Sequence, residues 1–346
     1  MPRVVYNDHD FQALPKVELH RHLEGSLRLS TLIEVARSHG LSVTDTGQLR
    51  SLVKINADEP FTYENFLSKF KTLRLFYRTP EIIGRIAREA ILDAAADNIR
   101  YIELRFTPVA LSEAQGFSLA EVLDWVIDGT AQAKKEADIQ VALIVSLNRH
   151  ESPQLADQII ALALDRCEAG IVGIDLAGNE ARFPAMPFAG IFQEARRAGF
   201  HITIHAGEWS GSDNVKEAIL HLGAERIGHG IRVMEDPSVV DLARERGIIF
   251  EVCVTSNYQS GVVPTLNAHP LPRMLDAGLK VTLNTDDPSI SNINLSQEYQ
   301  LAHKELGLSM DVLHELILAG GEAAFLPGKE RQALIRALAQ ELKERA

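Results

Sequence analysis

A chain of 346 residues with 35 Lys+Arg against 47 Asp+Glu carries a formal net charge of −12, the opposite of what recruits nucleic-acid backbones or anionic membrane surfaces. Its two cysteines, Cys167 and Cys253, cannot build a disulfide framework; the N-terminal stretch has no apolar leader core, and nowhere does an apolar run approach the roughly 18 residues of a membrane span. The expectation is a soluble protein of a reducing, cytoplasmic compartment, with no nucleic-acid or membrane partner and its oligomeric state left open.

Taken in chain order, the first apolar run is 16–25 (KVELHRHLEG). Residues 26–98 follow with several helical stretches, at 29–40, 62–77 and 81–98. Seven more short runs come at 99–108, 140–149, 171–178, 201–208, 226–230, 248–257 and 280–288. Most are rich in β-branched residues and bounded by Gly, Pro or Asn, which reads as strand. Between them lie amphipathic helical patterns at 118–137, 152–170 and 214–225, with Ser118 and Ser152 placed as N-caps and Gly170 and Gly223 as stops. The segment 328–346 reads as an exposed terminal helix. Eight strands alternating with helices, without a break in composition, predict one (β/α)8 TIM barrel domain spanning 1–346, with a helical insertion after strand 1. That insertion is expected to sit over the C-terminal mouth as a lid. A doubly wound open sheet is the alternative, but no GxGxxG follows the first strand.

Side chains alternate faces along a strand. Glu18, His20 and His22 therefore share one face of the first strand, and Thr203 and His205 share one face of the fifth. In the eighth run Thr282, Asn284 and Asp286 fall together. Inside a helix-covered barrel such polar stripes point into the lumen, where unpaired polar groups are costly. A metal ion satisfies them. Three imidazoles (His20, His22, His205) and the Asp286 carboxylate suit Zn²⁺, with a position left open for water. Glu208, three residues beyond His205, lies where a carboxyl could stay protonated and act as a general acid. His229 stands between two glycines at the end of strand six, and Asp287 adjoins Asp286. Each has an ordinary reading when taken singly: a surface Glu, a capping His, a turn-forming Asp before Pro288. Their convergence on one barrel end argues for a site. The other histidines read as structural or solvated, and Cys253, placed within strand seven, as an inert buried thiol.

The stretches PKVELHRHLEGS, YIELRFTP, GIDLAGNE, HITIHAGE, ERIGHGIR, FEVCVTSN and LNTDDP together resemble the adenosine deaminase family of the amidohydrolase superfamily, over almost the whole chain. The resemblance implies one zinc held by His20, His22, His205 and Asp286. It further implies that Glu208 protonates the purine ring nitrogen beside the reacting carbon, and that His229 holds and orients the zinc-bound water. Asp287 would hydrogen-bond the purine, and the backbone of Gly178 would hold its far side. The implied reaction is hydrolytic deamination of adenosine and 2′-deoxyadenosine to inosine and 2′-deoxyinosine plus ammonia, in purine salvage, with a small purine nucleoside as the partner.

Two positions depart from the pattern. Glu24 stands where adenosine deaminases carry an Asp that contacts the ribose 5′-hydroxyl, and related adenine-type deaminases carry Glu there. Asn179 replaces a commonly acidic residue. The alternatives are therefore a deaminase of free adenine, of an N6-substituted adenosine or of a similar nucleoside. A binuclear amidohydrolase would need a Lys at the end of strand four, where GIDLAG has none. A non-catalytic purine-binding barrel should have lost a ligand or the acid, and all are kept.

Overall fold

Eight short strands pair side by side in chain order, every pair parallel. They are β1 (Lys16–His22), β2 (Ile99–Phe106), β3 (Gln140–Asn148), β4 (Ile171–Ala177), β5 (His201–Ala206), β6 (Arg226–His229), β7 (Ile249–Val252) and β8 (Lys280–Leu283). The structure is a computed structural model that describes residues 6–42 and 45–344. Helices lie between the strands, and the fold is the expected (β/α)8 barrel. The seam between β1 and the end of β8 carries, among the described residues, one isolated backbone bridge, Arg21 to Asp286, beside side-chain bonds such as that from the Leu19 N–H to Asn284. There the Asp286 N–H donates to His20 O at 2.9 Å and the His22 N–H donates to Asp286 O at 2.8 Å. One expected ligand is thus stitched by its backbone to the strand that carries two others.

Strand alternation sorts the interior. On β2, Ile102, Leu104 and Phe106 join the apolar core, while Glu103 and Arg105 lie on the other face with no exposure at all. Ser146, Asp175, Thr203, Arg226 and Glu251 are equally buried and link with Glu103 and Arg105 into one polar layer. Arg105 reaches Glu251 at 2.7 Å and Asp175 at 3.4 Å, Arg226 contacts both Glu103 and Glu251, and Thr203 Oγ1 donates to Glu251 at 3.1 Å. Buried ions need this degree of mutual satisfaction to offset their desolvation.

The helices Leu119–Glu136 and Pro153–Leu164 form where the apolar spacing predicts. The Ser152 hydroxyl accepts the Leu155 N–H at 3.2 Å, whereas Ser118 occupies the N-cap without a side-chain bond. Gly170 and Gly223 end their helical turns in the left-handed region, at φ 106° and 74°, where a Cβ would be strained. Two strands end earlier than expected, and one helix is less exposed. The seventh strand stops at Val252, because Val254–Gln259 coils into a short helix whose Thr255 N–H is taken by the buried Glu298 carboxyl. Cys253 therefore caps that helix rather than lying within the strand; its thiol is buried and free. The eighth strand stops at Leu283, since the chain turns at Asp286 with φ 63°. The terminal helix, Gly328–Lys343, is not exposed all round: Leu334, Leu338 and Leu342 are buried, on the face that meets Met310–Ala323. Residues 345–346 of that expectation, and 1–5 of the N-terminal one, lie outside the described residues. Among the described residues no helix is long and apolar enough to cross a membrane.

Candidate active site

The strand ends bring His20, His22, His205 and Asp286 together, with one ligand atom from each lying within 4.8 Å of the others. His20 Nε2 and His22 Nε2 are 3.3 and 3.4 Å from Asp286 Oδ1, and His22 Nε2 is 3.3 Å from His205 Nε2. A tetrahedral ion with bonds of about 2.1 Å sets its ligands about 3.4 Å apart. The electrostatics agree. Glu251 Oε2 takes the His20 Nδ1 proton at 2.8 Å, and Asp175 Oδ1 takes that of His205 Nδ1 at 2.9 Å. Both rings then turn unprotonated Nε2 atoms toward the centre, the arrangement that metal-bound histidines adopt. His20 Nε2 is buried with no hydrogen-bond partner and stands 3.3 Å from an Asp286 oxygen, so without a bridging proton or cation two lone pairs would face each other. A cation between them removes that conflict, and three nitrogens with one carboxylate oxygen fit Zn²⁺.

Burial, reinforced by neighbouring imidazoles, pushes His22, His205 and His229 below the ordinary histidine range and keeps them neutral. Burial pushes Asp286 up, but the His20 ring beside it, foremost among the surrounding imidazoles, outweighs this and holds that carboxylate well below its usual range. Its neighbour Asp287, buried beside Asp286, Glu24 and Glu208, is pushed well above. Two adjacent carboxyls in one sequence motif thus take opposite states. Asp286 suits the metal, while Asp287 can carry a proton. Ser256 Oγ donates to Asp286 Oδ2 at 2.6 Å and occupies its other oxygen.

Glu208 follows β5 at the mouth, with burial, Asp286 and Glu180 all raising its carboxyl well above the usual range. Its backbone is held by Glu180. That carboxylate accepts N–H bonds from Gly207 (2.8 Å), Glu208 (2.6 Å), Trp209 and Ser210 (2.9 Å), and the Asn214 amide at 3.0 Å. His229 Nε2 lies 3.7 Å from Glu208 Oε2 and 3.8 Å from Asp286 Oδ2. Both His229 and Asp286 sit at positive φ, 58° and 63°. Non-glycine residues rarely adopt this conformation, and such strain gathers at functional sites.

Asp287 fits only because residue 25 lacks a side chain. A Cβ on Gly25 would stand 1.9 Å from Asp287 Oδ1 and 2.5 Å from its Cβ. Gly25→Ala is therefore expected to displace Asp287, lower kcat/KM by about 10²-fold and destabilise the fold by about 1–3 kcal/mol; steady-state kinetics and denaturant unfolding check both.

Around these residues opens a cavity of about 280 Å³, near the lower end of the roughly 300–1,000 Å³ typical of ligand pockets. Glu24 lines it, buried, with Oε1 accepting the Thr107 N–H at 2.6 Å and Oε2 unpartnered. Gly178 and Asn179 line the side beyond β4, and the Asn179 side chain accepts the Ala181 and Arg182 N–H groups instead of reaching inward. The insertion contributes Phe66, Phe70, Lys71 and Arg74 to the mouth, from and just after the helix Tyr63–Leu73. Tyr63 stacks on Trp209 with centroids 5.4 Å apart, which places the insertion over the site as expected. Sequence reasoning assigned no role to Asp175, Glu180, Glu251 or Asn257, and read His269 as structural or solvated. It also set aside His150, which lines the pocket mouth.

The comparisons follow the same lines. The family model described as Adenosine deaminase matches residues 15–341. An adenosine deaminase of Shigella flexneri is 37% identical over 324 residues, 93% of this chain and 96% of that one. An amidohydrolase from Burkholderia ambifaria, solved with bound Zn, superposes with a TM-score of 0.88 at 28% identity, over 100% of this chain and 95% of that one. The adenine deaminase of Arthrobacter aurescens superposes at 0.86, with 28% identity and 95% and 99% coverage. The chain belongs to the adenosine deaminase family and is a hydrolytic deaminase.

Proposed function

We propose that the enzyme hydrolyses the 6-amino group of adenosine and 2′-deoxyadenosine, in purine salvage in the cytoplasm, with one zinc held by His20, His22, His205 and Asp286. The observation that carries this reading is the placement of Glu208, His229 and Asp287 around the four-ligand cluster in one small cavity. Bound there, zinc supplies a Lewis acid and a nucleophile usable at neutral pH.

The remaining work falls to the protein's own groups. Glu208, kept protonated, donates to the ring nitrogen beside the reacting carbon and makes that carbon electrophilic. His229 directs a polar group at the attacking water. Asp287 hydrogen-bonds the purine, and the Gly178 backbone faces its far side. Water adds its oxygen to the carbon, the amino group leaves as ammonia with the protons gained, and a 6-oxopurine remains. The charge that develops on the new oxygen meets a water-poor, pre-oriented site, where such stabilisation is strongest.

Glu24 bears on the choice of substrate. One oxygen is held by Thr107 and the other is buried without a partner in a residue that lines the cavity, so a substrate hydroxyl brought to it would satisfy it. The second reading is a free-adenine deaminase, favoured by the same Glu and by the likeness to the Arthrobacter enzyme. An absorbance assay of the purified protein on adenosine, 2′-deoxyadenosine, adenine and N6-substituted adenosines separates the two. Adenosine is expected to give the highest kcat/KM; a preference for adenine would reverse the assignment. Chelation should abolish turnover and added zinc restore it, and full activity in chelated, metal-free protein would refute the metal role.

A further inference from the structure

His229, unlike His20 and His205 with Glu251 and Asp175 on their Nδ1 atoms, carries no carboxylate on its own Nδ1. That atom instead meets Asn257 Nδ2 at 3.1 Å. Asn257 is fully buried, and its Oδ1 lies 3.3 Å from Nε2 of His269, itself buried. His269 Nδ1 accepts the backbone N–H of Leu271 at 3.1 Å. This last bond settles the direction of all the others.

A backbone N–H can only donate, so His269 Nδ1 is the unprotonated nitrogen of that ring. Burial lowers His269 to about 3, so the ring is neutral and its single proton is on Nε2. That proton points at Asn257, which must answer with its carbonyl oxygen. The amide NH₂ is then turned toward His229 Nδ1, which must accept. His229 is left with its proton on Nε2, the nitrogen that faces Glu208 and Asp286.

We infer that Asn257 and His269 are positioning residues that hold His229 as the Nε2–H tautomer, so that it enters the site as a donor and never as a base. The role of that donor rests on the deaminase reading given above; the tautomer itself does not. A donor aimed at the attacking oxygen orients the nucleophile and meets the charge that builds on it. His20 and His205, fixed by Glu251 and Asp175, present lone pairs to the same centre. Amide and carboxylate partners thus sort chemically identical rings into a donor and two ligands.

The test is made on the metal-loaded protein labelled with ¹⁵N-histidine. Two-bond ¹H–¹⁵N correlation spectra should show His229 protonated on Nε2 in the wild type; a spectrum with the proton on Nδ1 would overturn the inference whatever the substrate proves to be. Asn257→Leu should lose that single tautomer and lower kcat at least tenfold with KM little changed, approaching the roughly 10²–10³-fold cost of a lost donor. His269→Phe should reduce kcat less, and His269→Gln, which keeps an N–H for the Asn257 carbonyl, should recover most of it. Unchanged kcat in Asn257→Leu, or equal losses in both His269 variants, would leave the pair as packing and overturn the positioning role.

Discussion

Glu208→Gln is expected to lower kcat by about 10²- to 10⁴-fold, the span that a positioned general acid contributes, while metal content and fold stay intact. The amide has the shape of the protonated carboxyl and can donate a hydrogen bond, but it has no proton to give up. The wild-type carboxyl is ready to donate because burial, Asp286 and Glu180 all disfavour its ionised form. The loop should survive the exchange, since Glu180 holds the Gly207, Glu208, Trp209 and Ser210 backbones rather than the Glu208 side chain. Steady-state kinetics with metal analysis on the same preparation check this. Loss of activity with zinc retained supports the acid role; an unchanged kcat would remove Glu208 from it.

The cluster was legible because the chemistry it needs is written at short range. His20 and His22 lie two apart on one strand face, and Asp286 and Glu208 fall at strand ends, so period-two alternation with barrel burial points to a shared target. The same rule, carried to every strand, reaches further. On β2 it separates Glu103 and Arg105 from Ile102 and Leu104; on β4 it isolates Asp175 between Ile174 and Leu176; on β7 it sets Glu251 between Phe250 and Val252. Each is a fully buried charge on a strand, and each supports the site.

Other features have no local signature. Glu180 binds backbone some 28 residues away, and Gly25 makes room for Asp287 from the opposite end of the chain. The left-handed turns at His229 and Asp286 are invisible to a reading based on propensity, because the surrounding structure imposes them against it. The overlong seventh and eighth strands have the same cause. Val254 and Thr255 after Cys253, and Thr285 after Leu283, look extended by their β-branching, yet tertiary bonds to Glu298 and to β1 bend the chain there.

Glu251→Gln is expected to destabilise the protein by about 3–5 kcal/mol, the cost of leaving buried partners of an ion pair uncompensated, and to weaken zinc binding about 10- to 100-fold. One carboxylate serves both functions. Its Oε2 accepts from His20 Nδ1 at 2.8 Å and pairs with Arg105 at 2.7 Å, while Oε1 pairs with Arg226 at 2.7 Å and accepts from Thr203. The arginines and His20 hold it well below the usual carboxylate range, against its burial, so it is ionised in the folded state. Its stabilising contribution is present above the unfolded carboxyl range and is lost as pH falls through the depressed folded value, so acid should unfold the variant and the wild type to more nearly equal stability. The amide keeps the volume but removes the charge that two guanidiniums share, and whichever end carries its NH₂ now faces a guanidinium that can only donate. An NH₂ at the Oε2 position would also face His20 Nδ1 and favour the tautomer that no longer turns a bare Nε2 to the metal. Denaturant unfolding of the chelated proteins isolates the stability loss, and a zinc-competition titration isolates the affinity loss. A variant with wild-type stability but weakened zinc would assign Glu251 to the metal alone, and one with normal zinc affinity would show that His20 keeps its tautomer without it.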